Sequence, residues 1–125
     1  MPGTPIARLP FPRSSRLKLR GDFARAKARG RRLVCGCLIA NVLPRPPGQP
    51  SRLGVVTSRG IGAAVARSRA RRLLRESFRL HQRDLAQAVD LVLVARPSIA
   101  GKKLAEVESD LMRVLRQARL DSSGA

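Results

Sequence analysis

Two spacings of apolar residues occur along this chain, and each predicts one kind of element. Helical spacing, with apolar residues three and four positions apart, recurs in three segments: residues 16–29, 63–80 and 103–120. Continuous apolar runs that favour buried strands occur in three others: residues 33–43, 52–57 and 90–95. Gly30 ends the first helical segment, and the four prolines of residues 44–51 predict a loop, because proline cannot donate to a strand ladder. This order predicts a small α/β fold, an α+β two-layer sandwich of about four strands and three helices.

The chain length predicts a single domain with short extensions. A length of 125 residues suits one compact domain, which we expect at residues 16–120. Residues 1–15, rich in proline and arginine, predict a flexible basic arm, and residues 121–125 a disordered tail. The longest apolar stretch is too short to span a bilayer, and the N-terminus lacks the apolar region of a secretory signal. Nothing in the cysteine usage requires an oxidising compartment, so we expect a cytoplasmic protein.

Charge is the most informative feature of the composition. The formal net charge is +18, and residues 1–80 carry 19 basic residues against two acidic ones. Such self-repulsion disfavours a small metabolic enzyme and indicates a polyanionic partner. Arginine outnumbers lysine 22 to 4, which suits bidentate phosphate binding, although a G+C-rich genome would also produce this bias. Residues 81–125 are nearly neutral and predict a packing element.

The second helical segment separates small apolar residues from arginines. Its predicted inner stripe is Ala66, Ala70, Leu73, Leu74 and Ser77. Its predicted outer face holds Arg71, Arg72, Arg75, Arg79 and Ser68, with Arg67 and Arg69 on the flanks. Guanidinium groups one turn apart would lie ~5–6 Å from each other, a spacing that can meet successive phosphates. A solvated basic face is the alternative, but six arginines interrupted by one glutamate are hard to explain without an anionic partner.

Candidate catalytic and metal-binding residues are few. His81 is the only histidine and follows the basic segment directly, so a helix-end role is favoured over acid–base catalysis. Three acidic residues are predicted on the solvent side of the last helix: Glu106, Glu108 and Asp110. Cys35 and Cys37 fall on one face of an extended segment and are interpreted as small core residues. We therefore expect no catalytic or metal-binding residues in the protein itself.

The stretch RLGVVTSRGIGAAVARSRARRLLRESFR, from Arg52 to Arg79, resembles the signature of the bacterial ribonuclease P protein component. That signature is an apolar strand, a basic turn, and a helix with spaced Arg-x-Arg, Arg-Arg and Arg-Glu-x-Phe. The upstream RLKLRGDFARAKARGR is similar to the family's first helix, and DLVLVARPS is similar to its later apolar strand. The resemblance spans about residues 16–120.

The resemblance implies that an RNA carries the catalysis. In the family, a large RNA subunit with bound Mg2+ hydrolyses precursor tRNA to give the mature 5′ end, and the small protein assists. Carried over to this sequence, the residues that bind the catalytic RNA would be Arg67, Ser68, Arg69, Arg71, Arg72, Arg75 and Arg79. Those that hold the 5′ leader would be Phe23, Arg59, Arg16 and Arg20, with the sheet face behind them. For Phe23, packing in the core is the alternative.

The same resemblance extends to the partners and the fold. The partners would be the catalytic RNA and precursor tRNA, with no membrane and no obligate protein partner, and Mg2+ would be bound mainly through the RNA. The fold would be similar to that of a ribosomal small-subunit protein domain, with an uncommon left-handed β-α-β crossover.

Two departures from the family pattern affect these expectations. Ser68 stands where the family has asparagine, and a lost two-point hydrogen bond would be worth about 1 kcal/mol. The turn at residues 58–62 has Arg59 as its only basic residue where the family often has several lysines. Two other classes stay open: a structural RNA-binding protein such as a ribosomal component, and a DNA-binding module. Base readout by the latter would favour asparagine or glutamine on the exposed helix face, which residues 63–80 lack.

Overall fold

The computed structural model describes residues 20–82, 85 and 87–118, except the side chains of Arg20, Asp22, Phe23 and Lys27. The elements are α1 (Arg20–Arg29), β1 (Arg31–Cys35), β2 (Leu38–Pro44), β3 (Arg52–Val56), α2 (Ala64–His81), β4 (Val89–Ala95) and α3 (Leu104–Gln117). Short 3-10 turns at Arg59–Ile61 and Pro97–Ile99 precede α2 and α3. Four strands and three helices confirm the predicted fold class. The predicted arm, Arg16 and the predicted tail lie outside the described residues.

The four strands form one mixed sheet in the order β1-β2-β4-β3. β2 pairs antiparallel with both β1 and β4, whereas β3 pairs parallel with β4. The parallel pair is joined through α2 and makes the predicted β-α-β unit; its left hand stays a prediction of the resemblance. The central strands β2 and β4 are the most buried, because each has a neighbour on both sides and helices lie above them.

The main core lies between the sheet and the pair α2 and α3. Fully buried residues of α3 are Val107, Leu111, Val114 and Leu115, and those of α2 are Ala70, Leu74, Ser77 and Phe78. The α2 positions confirm most of its predicted inner stripe and add Phe78, one turn beyond Leu74, and the α3 positions agree with the helical spacing predicted for residues 103–120. Full burial of each large aliphatic side chain is worth about 1.5–3 kcal/mol, so the two stripes fix both helices on the sheet.

The described residues cover the opposite sheet face only partly. Ala26 of α1 packs against Val92, with Leu43, Val56 and Val94 around the contact. The described residues leave the part of this face near β1 uncovered, and its surface includes a shallow depression of about 300 Å³ lined by Arg32, Ile39, Asn41 and Val94. The small side chain of Ala26 places α1 close to one half of the sheet, and the described residues of α1 do not cover the other half.

The prediction of one extended segment at residues 33–43 is wrong. The chain reverses at Gly36 and Cys37, and β1 pairs with β2 as a hairpin. Gly36 has a φ of 54°, and a Cβ there would lie 2.2 Å from a carboxylate oxygen of Asp110, so only glycine fits. The continuous apolar run hid this turn, because the residues on both sides of it are strand formers.

Asp110 does not face solvent as predicted but holds this turn. Its Oδ2 accepts the Cys37 N–H at 2.9 Å, which satisfies a turn amide that the ladder leaves unpaired. Cys35 and Cys37 are both buried, as predicted, although Cys37 reaches the interior from the turn and not from a strand. Burial, and next the hydrogen bond to Asp110, raises the pKa of the Cys37 thiol from 9.0 to about 12, so this thiol is a poor nucleophile.

Candidate nucleic-acid interface

The arginine helix α2 begins without features that would offset its positive charge. Its N-cap residue, Ala63, supplies no capping side chain, and the first turn holds no acidic residue. The first-turn N–H groups and the positive end of the helix dipole therefore add to the potential of the arginines that follow. Val65, in this first turn, is 82% exposed, so this end of α2 protrudes from the sheet.

Arg67 and Arg71 lie on the flank of α2 that faces the end of β3. Arg71 donates from Nη1 to Thr57 Oγ1 at 2.8 Å and from Nη2 to Ser68 Oγ at 3.1 Å. Arg67 donates from Nη1 to the Gly62 carbonyl at 2.8 Å. The prediction that Arg71 lies on the outer face is therefore wrong. The cause is Phe78, whose burial rotates α2 and brings Arg71 to the flank.

Arg69 lies on the other flank, beside α3. Its Nη2 donates to the Lys102 carbonyl at 2.6 Å, so the guanidinium is held at the start of α3. Arg72 is exposed on the outer face, and no described residue forms a hydrogen bond or ion pair with it. Arg79 makes an ion pair with Glu76, one turn earlier in the same helix, so its charge is already partly offset.

The acceptors of these bonds decide what the arginines can still do. Arg67, Arg69 and Arg71 bind only uncharged oxygens, so each guanidinium is oriented while its charge remains available. A guanidinium carries five N–H donors, and these contacts use one or two of them. Cations fixed in advance lose less entropy when they bind phosphate. The helix is therefore a preorganised cationic surface.

The residues predicted to hold a single strand are only partly described. Arg59 is exposed in the turn between β3 and α2. Arg20 and Phe23 belong to α1, but their side chains lie outside the described part of the structure, as does all of Arg16. The joint role of these side chains therefore stays a prediction.

Asn41 is a candidate that sequence reasoning missed. It is 5% exposed, and its carboxamide makes no hydrogen bond to any described residue, although it lines the depression on the open sheet face. Buried polar groups are nearly always paired, so a carboxamide without a partner among the described residues makes Asn41 a candidate ligand-binding residue. A carboxamide offers a donor and an acceptor, the pair that nucleobase edges present. A polar residue inside an apolar run was the signal that could have revealed it.

Asp90, His81 and Glu108 are engaged in structural contacts. Asp90 is 3% exposed and bonds Arg52 through both oxygens, at 2.8 and 2.7 Å. His81 ends α2 as predicted, and its Nε2 lies 3.0 Å from Glu108 Oε2 on α3, so Glu108 is not a free solvent-side carboxylate either. Within the described residues, no three His, Cys, Asp or Glu side chains come together as metal ligands. No helix in this part of the chain has the length and apolarity needed to cross a membrane.

An α2 surface of oriented arginines, together with a sheet face that the described residues cover only partly, is typical of a small α+β protein that binds nucleic acid. The sequence profile of the family Ribonuclease P matches residues 11–119. The chain therefore belongs to the ribonuclease P protein family, as the resemblance in its sequence predicted.

Individual relatives agree with this assignment. The chain is 38% identical over 107 residues to the ribonuclease P protein component of Gluconacetobacter diazotrophicus, covering 85% of this chain and 92% of that one. It is 39% identical over 110 residues to that of Desulfovibrio desulfuricans, covering 86% and 85%. Its fold is similar to that of the RNase P protein from Thermotoga maritima, with a TM-score of 0.70, 28% identity, and coverage of 82% and 96%.

A second solved structure is similar over most of both chains. It is a Staphylococcus aureus RNase P protein mutant with defective mRNA degradation activity, which matches with a TM-score of 0.77 and 25% identity, covering 86% of this chain and 90% of that one.

Proposed function

We propose that this chain is the protein subunit of a ribonuclease P ribonucleoprotein that matures the 5′ end of tRNA. Its surface on α2 docks on the catalytic RNA, and its open sheet face holds the 5′ leader of precursor tRNA. The observation that carries the proposal is that α2 presents arginines oriented by uncharged acceptors. Membership in the family supplies the reaction to which such a surface belongs.

The docking surface for the catalytic RNA is proposed to consist of Arg67, Ser68, Arg69, Arg71, Arg72, Arg75 and Arg79. Within it, Arg67, Arg69, Arg71 and Arg72 are the strongest members, because no described acidic group offsets their charge. If these four each neutralise one phosphate, the logarithm of the binding constant should fall by roughly 3 per tenfold rise in salt. Ser68 contributes by accepting a hydrogen bond from Arg71 and holding its guanidinium.

The leader-binding surface is proposed on the open sheet face, with Asn41 and Arg32 in its depression and Arg59, Arg16, Arg20 and Phe23 around it. Binding of a single strand combines cationic groups for phosphates with flat surfaces for bases. Asn41 adds a hydrogen-bonding group below the face, so a base seated there would satisfy its carboxamide. The contact would be modest in energy, about 0.5–1.5 kcal/mol, but it would make leader binding sensitive to the base.

Catalysis is proposed to belong to the RNA subunit. One described imidazole and two described carboxylates support this placement, because His81, Asp90 and Asp110 are each held by a structural partner. Mg2+ requires several oxygen ligands, and the described residues do not provide such a set, so we propose that it is bound mainly through RNA phosphates. A cytoplasmic location and the lack of an obligate protein partner are proposed with the same function.

The decisive experiment measures precursor tRNA cleavage by the cognate catalytic RNA at low Mg2+, with and without this protein. We expect the protein to stimulate cleavage and the variant Arg67→Ala/Arg69→Ala/Arg72→Ala to lose most of that stimulation. Arg96→Ala/Lys102→Ala/Lys103→Ala is the matched control, because it removes the same charge from residues outside the proposed docking surface. Circular dichroism checks that both variants fold. Tight, salt-sensitive RNA binding without stimulation would support the structural RNA-binding alternative.

The leader surface is tested with Asn41→Leu, which keeps a similar branched shape and removes the hydrogen-bonding groups. We expect weaker binding of precursor tRNA but unchanged binding of the same tRNA without its leader. Equal losses on both substrates would exclude a leader contact at Asn41. Affinity for the catalytic RNA alone is the internal control, because α2 is untouched.

A further inference from the structure

A second group of arginines lies at the other end of the molecule from the docking surface on α2. It consists of Arg31, at the start of β1, and Arg113 and Arg116, in the last turns of α3; we call it the corner cluster. Arg31 donates from Nη2 to the Gln117 carbonyl at 3.4 Å, which places its guanidinium at the end of α3. Arg113 lies one helical turn before Gln117, and Arg116 is its neighbour in sequence. All three arginines are exposed.

No described acidic residue offsets the charge of the corner cluster. The carboxylates of α3 are used in its first half: Glu106 accepts the Lys103 N–H at 3.0 Å, Glu108 pairs with His81, and Asp110 accepts the Cys37 N–H. The helix is therefore acidic where it begins and basic where it ends. The negative end of the helix dipole accounts for about half an elementary charge, which leaves most of the positive charge of three guanidinium groups uncompensated.

The corner cluster and the α2 surface lie at diagonally opposite corners of the sheet. The strand registers put Arg31 level with Leu53 of β3, and three inter-strand spacings separate β1 from β3, roughly 14 Å. Thr57, which accepts the hydrogen bond of Arg71, lies four residues beyond Leu53, roughly 13 Å along the strand direction. The two surfaces are therefore on the order of 20 Å apart at the backbone.

The helices show the same separation. His81, the last residue of α2, contacts Glu108 in the first half of α3. Arg113 and Arg116 therefore lie beyond the end of α2, whereas Arg72 lies nine residues before that end, roughly 14 Å along its axis. A contact with one surface leaves the other exposed.

The composition of the corner cluster favours RNA backbone over an acidic protein as its partner. Protein interfaces are anchored by buried aromatic or aliphatic side chains. Among the described residues, the large exposed apolar side chains are Val34 and Val65. Val34 lies on the opposite face of β1 from Arg31, and Val65 is at the start of α2, so neither can anchor a partner here. Phosphates require only cations within reach, and three exposed arginines supply them.

We propose that the corner cluster binds the phosphate backbone of a second RNA segment, so that one protein molecule bridges two RNA segments. The inference rests on the proposed function only for the first of these contacts, the one on α2. It changes the role of α3, which the sequence predicts to be a neutral packing element, because folding gathers the basic residues of α3 and β1 at one corner.

Bridging is measured with two short RNA duplexes, one immobilised and one fluorescent, mixed with the full-length protein. We expect the protein to capture the fluorescent duplex, and sedimentation to give a complex of one protein and two duplexes. The variant Arg31→Gln/Arg113→Gln/Arg116→Gln should still bind the immobilised duplex but capture the second at least tenfold less. The salt dependence of this capture should have a slope of roughly 2–2.7 in the unaltered protein.

A charge-matched control separates a local contact from the effect of net charge. Arg96→Gln/Lys102→Gln/Lys103→Gln removes the same charge before α3 begins and should bridge like the unaltered protein. Equal losses in both triple variants, or bridging that survives the corner variant, would overturn the proposal, as would a protein that binds only one duplex. If the variant Arg67→Gln/Arg69→Gln/Arg72→Gln still binds both duplexes, the proposed docking surface on α2 is wrong. That result does not decide whether the corner cluster binds RNA.

Discussion

Replacement of Arg72 by glutamine tests the docking surface most directly, because this side chain has no described partner whose loss would disturb the fold. The matched replacement is Arg79→Gln, at an equally helical position seven residues later. Arg79 already donates to the carboxylate of Glu76, so its guanidinium must leave that partner to bind phosphate. The two variants remove the same formal charge from the same helix, and they differ in whether that charge is paired.

The magnitude follows from counterion release. Loss of one phosphate contact should lower the salt slope by about 0.7 for single-stranded RNA and about 0.9 for a duplex. If the variant and the unaltered protein bind equally at the high-salt limit, where the electrostatic contribution is lost, the variant should bind about fivefold more weakly near 0.15 M salt, a difference of about 1 kcal/mol. We expect this effect for Arg72→Gln and less than half of it for Arg79→Gln.

The assay is equilibrium binding of the catalytic RNA at several salt concentrations, with thermal unfolding as the control for the fold. A plot of log K against log salt should be less steep for Arg72→Gln, with an unchanged melting temperature. Parallel plots for the unaltered protein and Arg72→Gln, or an equal effect of Arg79→Gln, would refute the argument that the uncompensated arginines of α2 carry the contact.

Three further predictions follow from single contacts. Ser68→Asn should strengthen binding to the catalytic RNA up to about fivefold, since a carboxamide offers two hydrogen bonds where the hydroxyl offers fewer, and unchanged affinity would contradict this. Gly36→Ala should lower the free energy of unfolding in urea by about 2–4 kcal/mol. In an Asp110→Ala background the clash with the carboxylate is gone, so the loss should be only about 1–2 kcal/mol. Equal losses in both backgrounds would contradict the geometry. The pKa of Cys37 is about 12 in the folded protein and 9.0 ordinarily, so the thiol of the unfolded chain loses its proton first as the pH rises. The free energy of unfolding should therefore fall between pH 9 and 12, and it should fall less in Cys37→Ala. Denaturant titrations at several pH values measure this difference.

The strength of the helical patterns explains why much of the fold could be predicted. In α3, apolar residues at helical spacing have only one way to leave water together, and Val107, Leu111, Val114 and Leu115 are buried accordingly. The run at 33–43 failed for the opposite reason. Continuous apolar residues are compatible with one long strand or with two strands around a turn, and only the pairing of β1 with β2 distinguishes these possibilities.

The candidate site was predicted by residue type more successfully than by position. The arginines of α2 follow from sequence spacing, but the acceptors that hold Arg69 and Arg71 come from segments 33 and 14 residues away. Asn41 was missed because a polar residue in a strand gains meaning only when the sheet face around it is known to be open. Asp110 was misplaced because its partner, the Cys37 amide, lies 73 residues earlier in the chain.

By itself, the sequence determined the class of the protein, the order of its elements and the helix on which cationic side chains gather. These properties depend on composition and on spacing within a few residues, which local geometry converts directly into faces and charges. Only the tertiary structure decided which charges the described residues leave uncompensated, which sheet face they leave uncovered, and that Arg31 joins the end of α3. Such properties depend on residues that are far apart in the chain. These residues come into contact only when the core packs and the strands pair in the sheet.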